Sequence, residues 1–333
     1  MKIKKVIFYI VIGLSCLLIL ASLLSLVYDI PKWYLKILDF PRLQQIFLAV
    51  ILLIAVILLK KAWSIKVIGV SVGLLVAIGI HFSYLAPYLL GEKAVPDISA
   101  KQNKNSVGIL IANVLITNQE SQQFLEIIQE TDPDIILAME VNAWWINELS
   151  SLKEEYPYFM EYPEDNAYGM ALYSRFPLKN EQTLFLNHSR VPSMHAEVTL
   201  LSGKIFKLHA VHPVAPFPSS KYPENIGSGN DHQEVAITKV GKMVSEYQMP
   251  SIVAGDFNDV AWSNTSRLFG QNGNLKDVRI GRGLLNTFNA HSFFMRWPLD
   301  HFFVSEDIAV AEFKRLPKFN SDHFPLYARL VIE

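Results

Sequence analysis

The sequence predicts a membrane-embedded N-terminal region followed by one α/β domain, a layered sandwich built around mixed β-sheet. Two observations predict this division. The long apolar runs lie in the first 90 residues, and the rest of the chain alternates short β-branched runs with amphipathic stretches. The charge divides at the same place: residues 1–104 hold 12 Lys or Arg and four Asp or Glu, a net charge of +8, which leaves −9 for the remainder of a chain whose total is −1. A hydrophobic content of 51% with 18% charged residues excludes both a disordered chain and an ordinary soluble enzyme.

Three apolar runs are long enough to cross the hydrocarbon core of a bilayer, which takes about 20 helical residues. We predict spans over about 5–28, 43–60 and 65–90, so that residues 1–90 form a three-helix transmembrane region. The alternative for the first run is a cleaved signal peptide, because such peptides also begin with lysines followed by an apolar stretch. The length of that run, the missing small-residue cleavage motif and the two later spans argue against this alternative.

The placement of lysines predicts the orientation of these spans. Basic residues mark the cytoplasmic side of a membrane, and here they cluster before the first span and between the second and third: Lys2, Lys4, Lys5, Lys60, Lys61 and Lys66. An odd number of spans then places the C-terminal domain outside the cytoplasm, in a multi-pass protein of the cell (inner) membrane. Basic residues also occur on the opposite side of the membrane, so the orientation is predicted from how densely the lysines cluster and not from their number. The lipid bilayer is the expected partner, and no obligate protein partner is expected.

Two residues inside the apolar runs need an explanation. His81 lies in the third run, where we predict a hydrogen bond between helices, the ordinary role of a single polar residue at that depth. Cys16, the only cysteine, lies in the first run, which excludes an intramolecular disulfide, a cysteine zinc site and a CxxC redox centre.

Residues 91–105 are polar and rich in Pro, Lys and Asn, and we predict a linker there, followed by a domain over 106–333. Apolar residues at helical spacing predict helices at 118–131, 143–152 and 232–247. Short apolar runs predict strands at 107–115, 134–140, 168–174, 195–201, 204–212, 251–256, 299–305 and 324–332. Because strands outnumber helices and some are consecutive, the pattern favours a mixed sheet over a doubly wound parallel one.

Polar side chains stand at the ends of six of these strands, where side chains from distant parts of a chain converge on one pocket. They are Asn113, Glu140, His212, Asp256 with Asn258, Asp300, and Asp322 with His323. One such carboxylate would be unremarkable, but the set predicts a single site.

Part of this set offers oxygen ligands for a cation. Glu140, with Asn113 and Asp322, supplies the hard donors that suit Mg²⁺ or Mn²⁺. The alternatives to metal binding are that Asn113 caps a turn and that Glu140 has a structural role. Against the second, burying a carboxylate inside an apolar run without a partner costs free energy.

The remaining residues suit the hydrolysis of a phosphate ester. His323 is the candidate general base, and Asp300 is placed to orient its imidazole. Asp256 and Asn258 would position water and a phosphoryl oxygen, and His212 would donate to the phosphoryl group; alternatively, His212 only stiffens the turn before Pro213. With a cation that offsets phosphoryl charge, these roles predict metal-assisted phosphoester hydrolysis.

Seven motifs occur in an order that resembles the endonuclease/exonuclease/phosphatase superfamily, with its pancreatic deoxyribonuclease-like fold. They are NVLITN (113–118), PDIILAMEV (133–141), GMALYSRFP (169–177), HAVHP (209–213), GDFND (255–259), LDHFFVS (299–305) and SDHFPL (321–326). The resemblance covers 107–332 and implies a four-layer α/β sandwich, two mixed sheets flanked by helices. It also implies a divalent cation at Glu140 with Asn113, a His323–Asp300 pair that activates water, and Asp256, Asn258 and His212 around the scissile phosphate. Three spans before such a domain are similar to a bacterial membrane-anchored branch.

The net charge of the domain limits the range of possible substrates. A net charge of −9 disfavours a polyanion, whose binding needs several cationic contacts. We therefore expect a phosphate mono- or diester of a lipid headgroup or small metabolite, with a membrane-tethered DNA or RNA nuclease and a catalytically inactive scaffold as alternatives. Residues 281–288 are a candidate substrate loop, and Arg282 within it and Arg279 just before it would contact phosphate.

Overall fold

The computed structural model describes residues 2–28, 30, 32–99, 104–216 and 229–333, without the side chains of 229–232. The chain divides into two compact units, Met1–Gly91 and Glu92–Glu333. Each unit has its own buried core, so the two are described in turn.

The first unit is helical. It contains α1 (Lys2–Leu24), α2 (Trp33–Lys36), α3 (Arg42–Leu59) and α4 (Ile65–Leu89). Among the described residues, three helices are long and apolar enough to cross a membrane: α1, α3 and α4, with mean hydropathies of 2.7, 2.5 and 2.1. They agree with the three runs identified in the sequence.

Polar side chains are buried between these helices. His81 of α4 places Nε2 2.9 Å from Ser22 Oγ of α1, which confirms the predicted hydrogen bond between helices. Its Nδ1 lies 3.3 Å from Nη1 of Arg42, and Arg42 is itself buried and ion-paired with Asp39. The polar groups of His81 are therefore used within the unit, as polar groups removed from water require.

The second unit contains two six-stranded sheets in its described part. The first has the order β11-β12-β1-β2-β4-β3 and the second β5-β6-β7-β8-β10-β9. The strands are β1 (Ser106–Asn113), β2 (Ile135–Met139), β3 (Tyr158–Tyr162), β4 (Met170–Ser174), β5 (Leu178–Leu184), β6 (Ser193–Thr199), β7 (Ile205–Val211), β8 (Ser251–Asp256), β9 (Lys276–Asp277), β10 (Asp300–Val304), β11 (Ile308–Arg315) and β12 (Leu326–Ile332). The helices are α5 (Ser121–Thr131), α6 (Ala143–Glu148), α7 (Gly229–Glu246) and α8 (Asn264–Asn272).

Both sheets are mixed, because β1–β2 and β7–β8 are parallel and the other strand pairs are antiparallel. Alternate residues of β1 point to opposite faces. Ile109 and Ile111 join the core between the sheets, whereas Leu110 and Ala112 pack with Phe124 of α5. Helices α7 and α8 share a third buried cluster with β8 and β10. The order helix, sheet, sheet, helix confirms the predicted four-layer sandwich.

Each central strand agrees with a predicted one to within a few residues, whereas the four edge strands β3, β5, β9 and β11 were missed. Strand β5 shows the reason: its sequence LKNEQTL is mostly exposed, because an edge strand is half covered. A search for apolar runs therefore finds the centre of a sheet and misses its borders.

Part of the predicted linker belongs to the second unit. Val95 is fully buried in its core. Beside it the backbone pairs with β11: Ile98 N donates to Val310 O, and Val310 N donates to Pro96 O, both at 2.9 Å. Residues 100–103 of that segment lie outside the described residues.

Candidate active site

Five strand termini bring polar side chains to one end of the two sheets. Strand β1 ends at Asn113, Glu140 follows β2, and β8 ends at Asp256. Strand β10 begins at Asp300, which is paired in register with Asp256, and His323 lies shortly before β12. The parallel strands end, and their antiparallel neighbours begin, at this same edge.

Asn113 joins the two sheets. Its Nδ2 donates to Glu140 Oε1 in the first sheet and to Asp256 Oδ2 in the second, both at 3.1 Å. Its Oδ1 accepts from Leu115 N at 3.0 Å, so the turn-capping role considered above is also present. Asn113, Glu140 and Asp256 are 1%, 4% and 0% exposed. An amide suits this position because it both donates and accepts.

Glu140 is held by an unusual backbone conformation. Its φ is +62°, in the left-handed region that a residue with a Cβ seldom adopts. The conformation turns the chain directly after β2, and Glu140 Oε2 accepts from Ile116 N at 3.3 Å. Such local strain persists where the surrounding structure fixes it, and it is common at functional sites.

His323 lies between two aspartates. Its Nδ1 is 2.9 Å from Asp300 Oδ2, and its Nε2 is 3.5 Å from Asp256 Oδ2. Ligand atoms of Asp256, Asp300 and His323 all lie within 4.8 Å of one another. Asp322, predicted as a metal ligand, is not in this cluster, although its charge acts on His323.

The charges of this group depend on each other. Burial alone would lower the pKa of His323, but the carboxylates of Asp300 and Asp256 raise it to about 10. Burial raises the pKa of Asp256 to about 7, against the opposing effect of His323. Burial would also raise the pKa of Asp300, yet His323 holds it below its ordinary value. The charged pair is therefore His323 with Asp300, and Asp256 is the carboxyl group poised to take up a proton.

The close approach of β7 and β8 places His212 and Asn258 beside this group. Gly255 has a φ of +145°, and a Cβ there would lie 1.9 Å from Val211 O, so only glycine allows the two strands this near. His212 Nε2 consequently lies 3.8 Å from Asp256 Oδ2. Asn258 donates from its backbone N to Asp256 Oδ1 at 2.8 Å and from Nδ2 to Pro213 O at 3.0 Å.

Two hydroxyl residues that sequence reasoning missed position the histidine and its partner. Thr287 Oγ1 accepts from Asp300 N at 3.2 Å, and Ser321 Oγ accepts from His323 N at 3.0 Å while donating to Asn113 O at 2.7 Å. Both are fully buried. Ser321 opens the motif SDHFPL (321–326) and Thr287 lies in the predicted substrate loop (281–288), but neither residue was predicted to have a role of its own, because serine and threonine are ordinary loop residues.

The prediction that Arg279 and Arg282 contact substrate phosphate is wrong. Arg279 is 1% exposed and donates to the backbone oxygens of Leu284, Leu285 and Asp300. Arg282 donates to Val278 O at 2.9 Å and Val95 O at 2.7 Å and pairs with Asp97. Because three backbone oxygens surround Arg279, and two backbone oxygens and a carboxylate surround Arg282, both guanidinium groups are part of the scaffold.

The family model described as the endonuclease/exonuclease/phosphatase family matches residues 110–323, which contain the whole set of strand-end residues. The chain belongs to this family. Members of the endonuclease/exonuclease/phosphatase family are hydrolases that act on phosphate esters and generally use divalent metal ions. No curated protein matches the chain.

Solved structures share the fold of this family member. An endonuclease/exonuclease/phosphatase from Bacteroides vulgatus has a TM-score of 0.56 and 19% identity, covering 68% of this chain and 99% of that one. The human Nocturnin catalytic domain with bound sulfate has 0.54 and 19%, covering 70% and 96%. D. rerio TDP2 complexed with a single-strand DNA product has 0.54 and 16%, covering 68% and 98%.

The donor set fits a hard divalent cation. Three carboxyl groups, those of Glu140, Asp256 and Asp300, are at most 4% exposed and are linked to one another through Asn113 and His323. Asp300 already faces the charged His323, and a cation beside Glu140 and Asp256 would offset the negative charge that these two buried carboxyl groups carry when ionised. Carboxylate and amide oxygens are also the ligands that Mg²⁺ and Mn²⁺ prefer.

Proposed function

We propose that this chain is a membrane-anchored, metal-dependent phosphoesterase that hydrolyses phosphate mono- or diesters, with a lipid headgroup or small metabolite as substrate. The observation that carries the proposal is the buried group in which Asn113 links Glu140 to Asp256 and His323 is paired with Asp300. An acidic oxygen set beside an oriented imidazole is the arrangement that activates water against a phosphate ester.

Each residue of this buried group has a proposed role in the hydrolysis. Glu140 and Asn113 would hold Mg²⁺ or Mn²⁺, whose charge offsets that on the phosphoryl oxygens. Asp300 accepts from His323 Nδ1, which fixes the ring and leaves Nε2 to take a proton from the attacking water. A bound cation would also attract the carboxylates near His323. These carboxylates would then stabilise the protonated imidazole less, so the proton would be held on His323 less strongly with the cation than without it.

Three further residues face the phosphate in this scheme. Asn258 and Asp256 position water and a phosphoryl oxygen, since the backbone N of Asn258 already fixes the Asp256 carboxyl. His212, next to Asp256, donates to the phosphoryl group.

Two features support a lipid headgroup as substrate. The units meet in the chain at Gly91 and Glu92, so a membrane anchor in the first raises the concentration of headgroups available to the second. In addition, Phe293, Phe294 and Met295 are 93%, 55% and 45% exposed. They belong to the loop that begins at Phe288, whose ring lies 5.0 Å from that of His323. Consecutive exposed apolar side chains favour a membrane surface over water.

A substrate panel tests this proposal. The purified full chain in detergent micelles with Mg²⁺ is offered phospholipids, sugar phosphates, labelled DNA and labelled RNA. We expect phosphate-ester cleavage of a phospholipid or sugar phosphate, its loss on adding EDTA, and its recovery with Mg²⁺ or Mn²⁺. Glu140→Gln is the matched variant, because it removes the charge and preserves the volume, and we expect at least ~100-fold lower activity.

Each other outcome has a distinct meaning. Cleavage confined to nucleic acid would contradict the substrate preference and support a nuclease, the alternative suggested by the DNA product bound to D. rerio TDP2. No cleavage of any substrate would support the inactive scaffold.

We also propose that the domain lies outside the cytoplasm. The lysine clusters around the first apolar helix and between the second and third support this orientation, with three membrane crossings before the domain. An alkaline phosphatase fused after Glu333 should be active in cells, since that enzyme requires an oxidising compartment. If a reporter that is active only in the cytoplasm works at the same position, the domain lies inside the cell instead.

A further inference from the structure

Two arginines share one aromatic ring next to the candidate general base. The guanidinium carbons of Arg296 and Arg315 lie 5.0 Å and 4.2 Å from the ring centroid of Phe324. Phe324 is mostly buried and directly follows His323 in the chain. Two cations are therefore stacked on the residue adjacent to the catalytic histidine.

The fold fixes this pair at the end of the sheet that carries the site. Arg315 is the last residue of β11 and pairs in register with Leu326 of β12, which in turn pairs with Ile111, two residues before Asn113. Arg315 Nη1 also donates to Asn286 O at 2.8 Å.

Thr287, the residue after Asn286, connects the two arginines to the catalytic residues through hydrogen bonds. Thr287 O accepts from Phe324 N at 2.8 Å, and Thr287 Oγ1 accepts from Asp300 N. One short segment thus contacts Arg315, Phe324 and Asp300. The position of the arginine pair relative to the site is therefore set by hydrogen bonds within the domain.

The pair is also distinct in its charge. Four other arginines of the domain are ion-paired with carboxylates: Arg175, Arg190, Arg282 and Arg329. Among the described residues, no carboxylate forms an ion pair with Arg296 or Arg315, whose hydrogen bonds go to the backbone oxygens of Ser292 and Asn286. Burial, together with the charge of Arg296, lowers the pKa of Arg315. In the described part of the domain, these two partly buried cations therefore have no carboxylate partner that would stabilise them.

We propose that Arg296 and Arg315 form an anion subsite that binds a second phosphate group of the substrate, beside the phosphate that is hydrolysed. The inference rests on the proposed function and makes it more specific: the preferred substrate carries at least two phosphates, whether free in solution or on a lipid headgroup. Planar guanidinium groups match phosphate oxygens through paired hydrogen bonds.

A competition assay tests the subsite whatever the natural substrate is. Turnover of bis(p-nitrophenyl) phosphate by the full chain in detergent micelles with Mg²⁺ is inhibited with inositol 1-phosphate or inositol 1,4-bisphosphate. We expect the bisphosphate to inhibit at least ~10-fold more strongly, since its second phosphate would form charge-assisted hydrogen bonds with both guanidinium groups. In the double variant Arg296→Gln/Arg315→Gln this preference, a ratio of two inhibition constants measured on the same protein, should fall to less than ~2-fold.

Controls separate a subsite from a general loss of charge. Arg175→Gln removes an arginine that is paired with Asp132 and Glu155, and it should keep the preference for the bisphosphate. A second arm uses phosphatidylcholine vesicles that contain phosphatidylinositol or phosphatidylinositol 4-phosphate as competitors. Preference only in the vesicle arm assigns the subsite to lipid headgroups, and preference in both arms assigns it to phosphate from either source.

The failures are also distinguishable. If the wild-type chain cleaves neither the chromogenic ester nor any substrate of the panel, the proposed function is rejected, and the subsite with it. If only a substrate of the panel is cleaved, the same competition is measured with that substrate. Normal turnover with equal inhibition by the two inositol phosphates in both arms would reject the subsite alone. The subsite alone is also rejected if the double variant retains the wild-type preference for the bisphosphate.

Discussion

Replacing His323 by alanine is expected to lower kcat about 10³-fold, the usual contribution of a positioned general base. The imidazole is the group that Asp300 orients at 2.9 Å, and its Nε2 faces the cluster beside Asp256. Without the imidazole, the attacking water loses the base that Asp300 holds in position. Steady-state turnover of the best substrate from the panel measures the effect, with KM expected to change less than kcat because the ring acts on water and not on the substrate.

A buried charged pair carries a structural risk, so the variant needs a check of its fold. Removal of His323 leaves Asp300 without its cationic partner, which destabilises a buried site. Near-UV circular dichroism and the thermal midpoint of the full chain establish whether the domain remains folded. His291→Ala is the matched control, because this histidine is exposed and lies in the loop that begins at Phe288. A folded His323→Ala protein with more than ~10% of wild-type kcat would show that another group is the base.

The sequence was most informative where both faces of a strand are covered. Strand β1 is buried along its whole length, and its apolar residues made it visible as a strand. The edge strand β3 has exposed positions, and its residues carry no comparable signal. Edge positions are defined by neighbours that are distant in the chain, and no local pattern contains that information.

The same distinction applies to the site. Asn113, Glu140 and Asp256 were found because a polar side chain at the end of a buried strand is unusual in itself. The role of arginines could not be predicted in this way. Arg279 and Arg315 are both arginines of the domain, yet Arg279 donates to three backbone oxygens, whereas Arg315 donates to one and stacks on Phe324. That difference depends on tertiary contacts, which a charge count does not record.

Replacing Gly255 by alanine is expected to destabilise the domain by more than ~4 kcal/mol, in the range reached by severe steric changes. The new Cβ would lie 1.9 Å from Val211 O and 3.0 Å from Val211 C, so β7 and β8 must separate. Urea unfolding of the full chain in detergent micelles, followed by tryptophan fluorescence, measures the free energy of unfolding.

Gly203→Ala separates this steric effect from that of backbone conformation. Gly203 also has a positive φ, +86°, but nothing lies within 4 Å of its added Cβ. The control should therefore lose only about 1–2 kcal/mol, the cost of a left-handed backbone. Equal losses for the two variants would mean that β7 and β8 can move apart cheaply. In that case the distance between His212 and Asp256 would not be fixed by the sheet, and the placement of both residues at the phosphate would lose its structural basis.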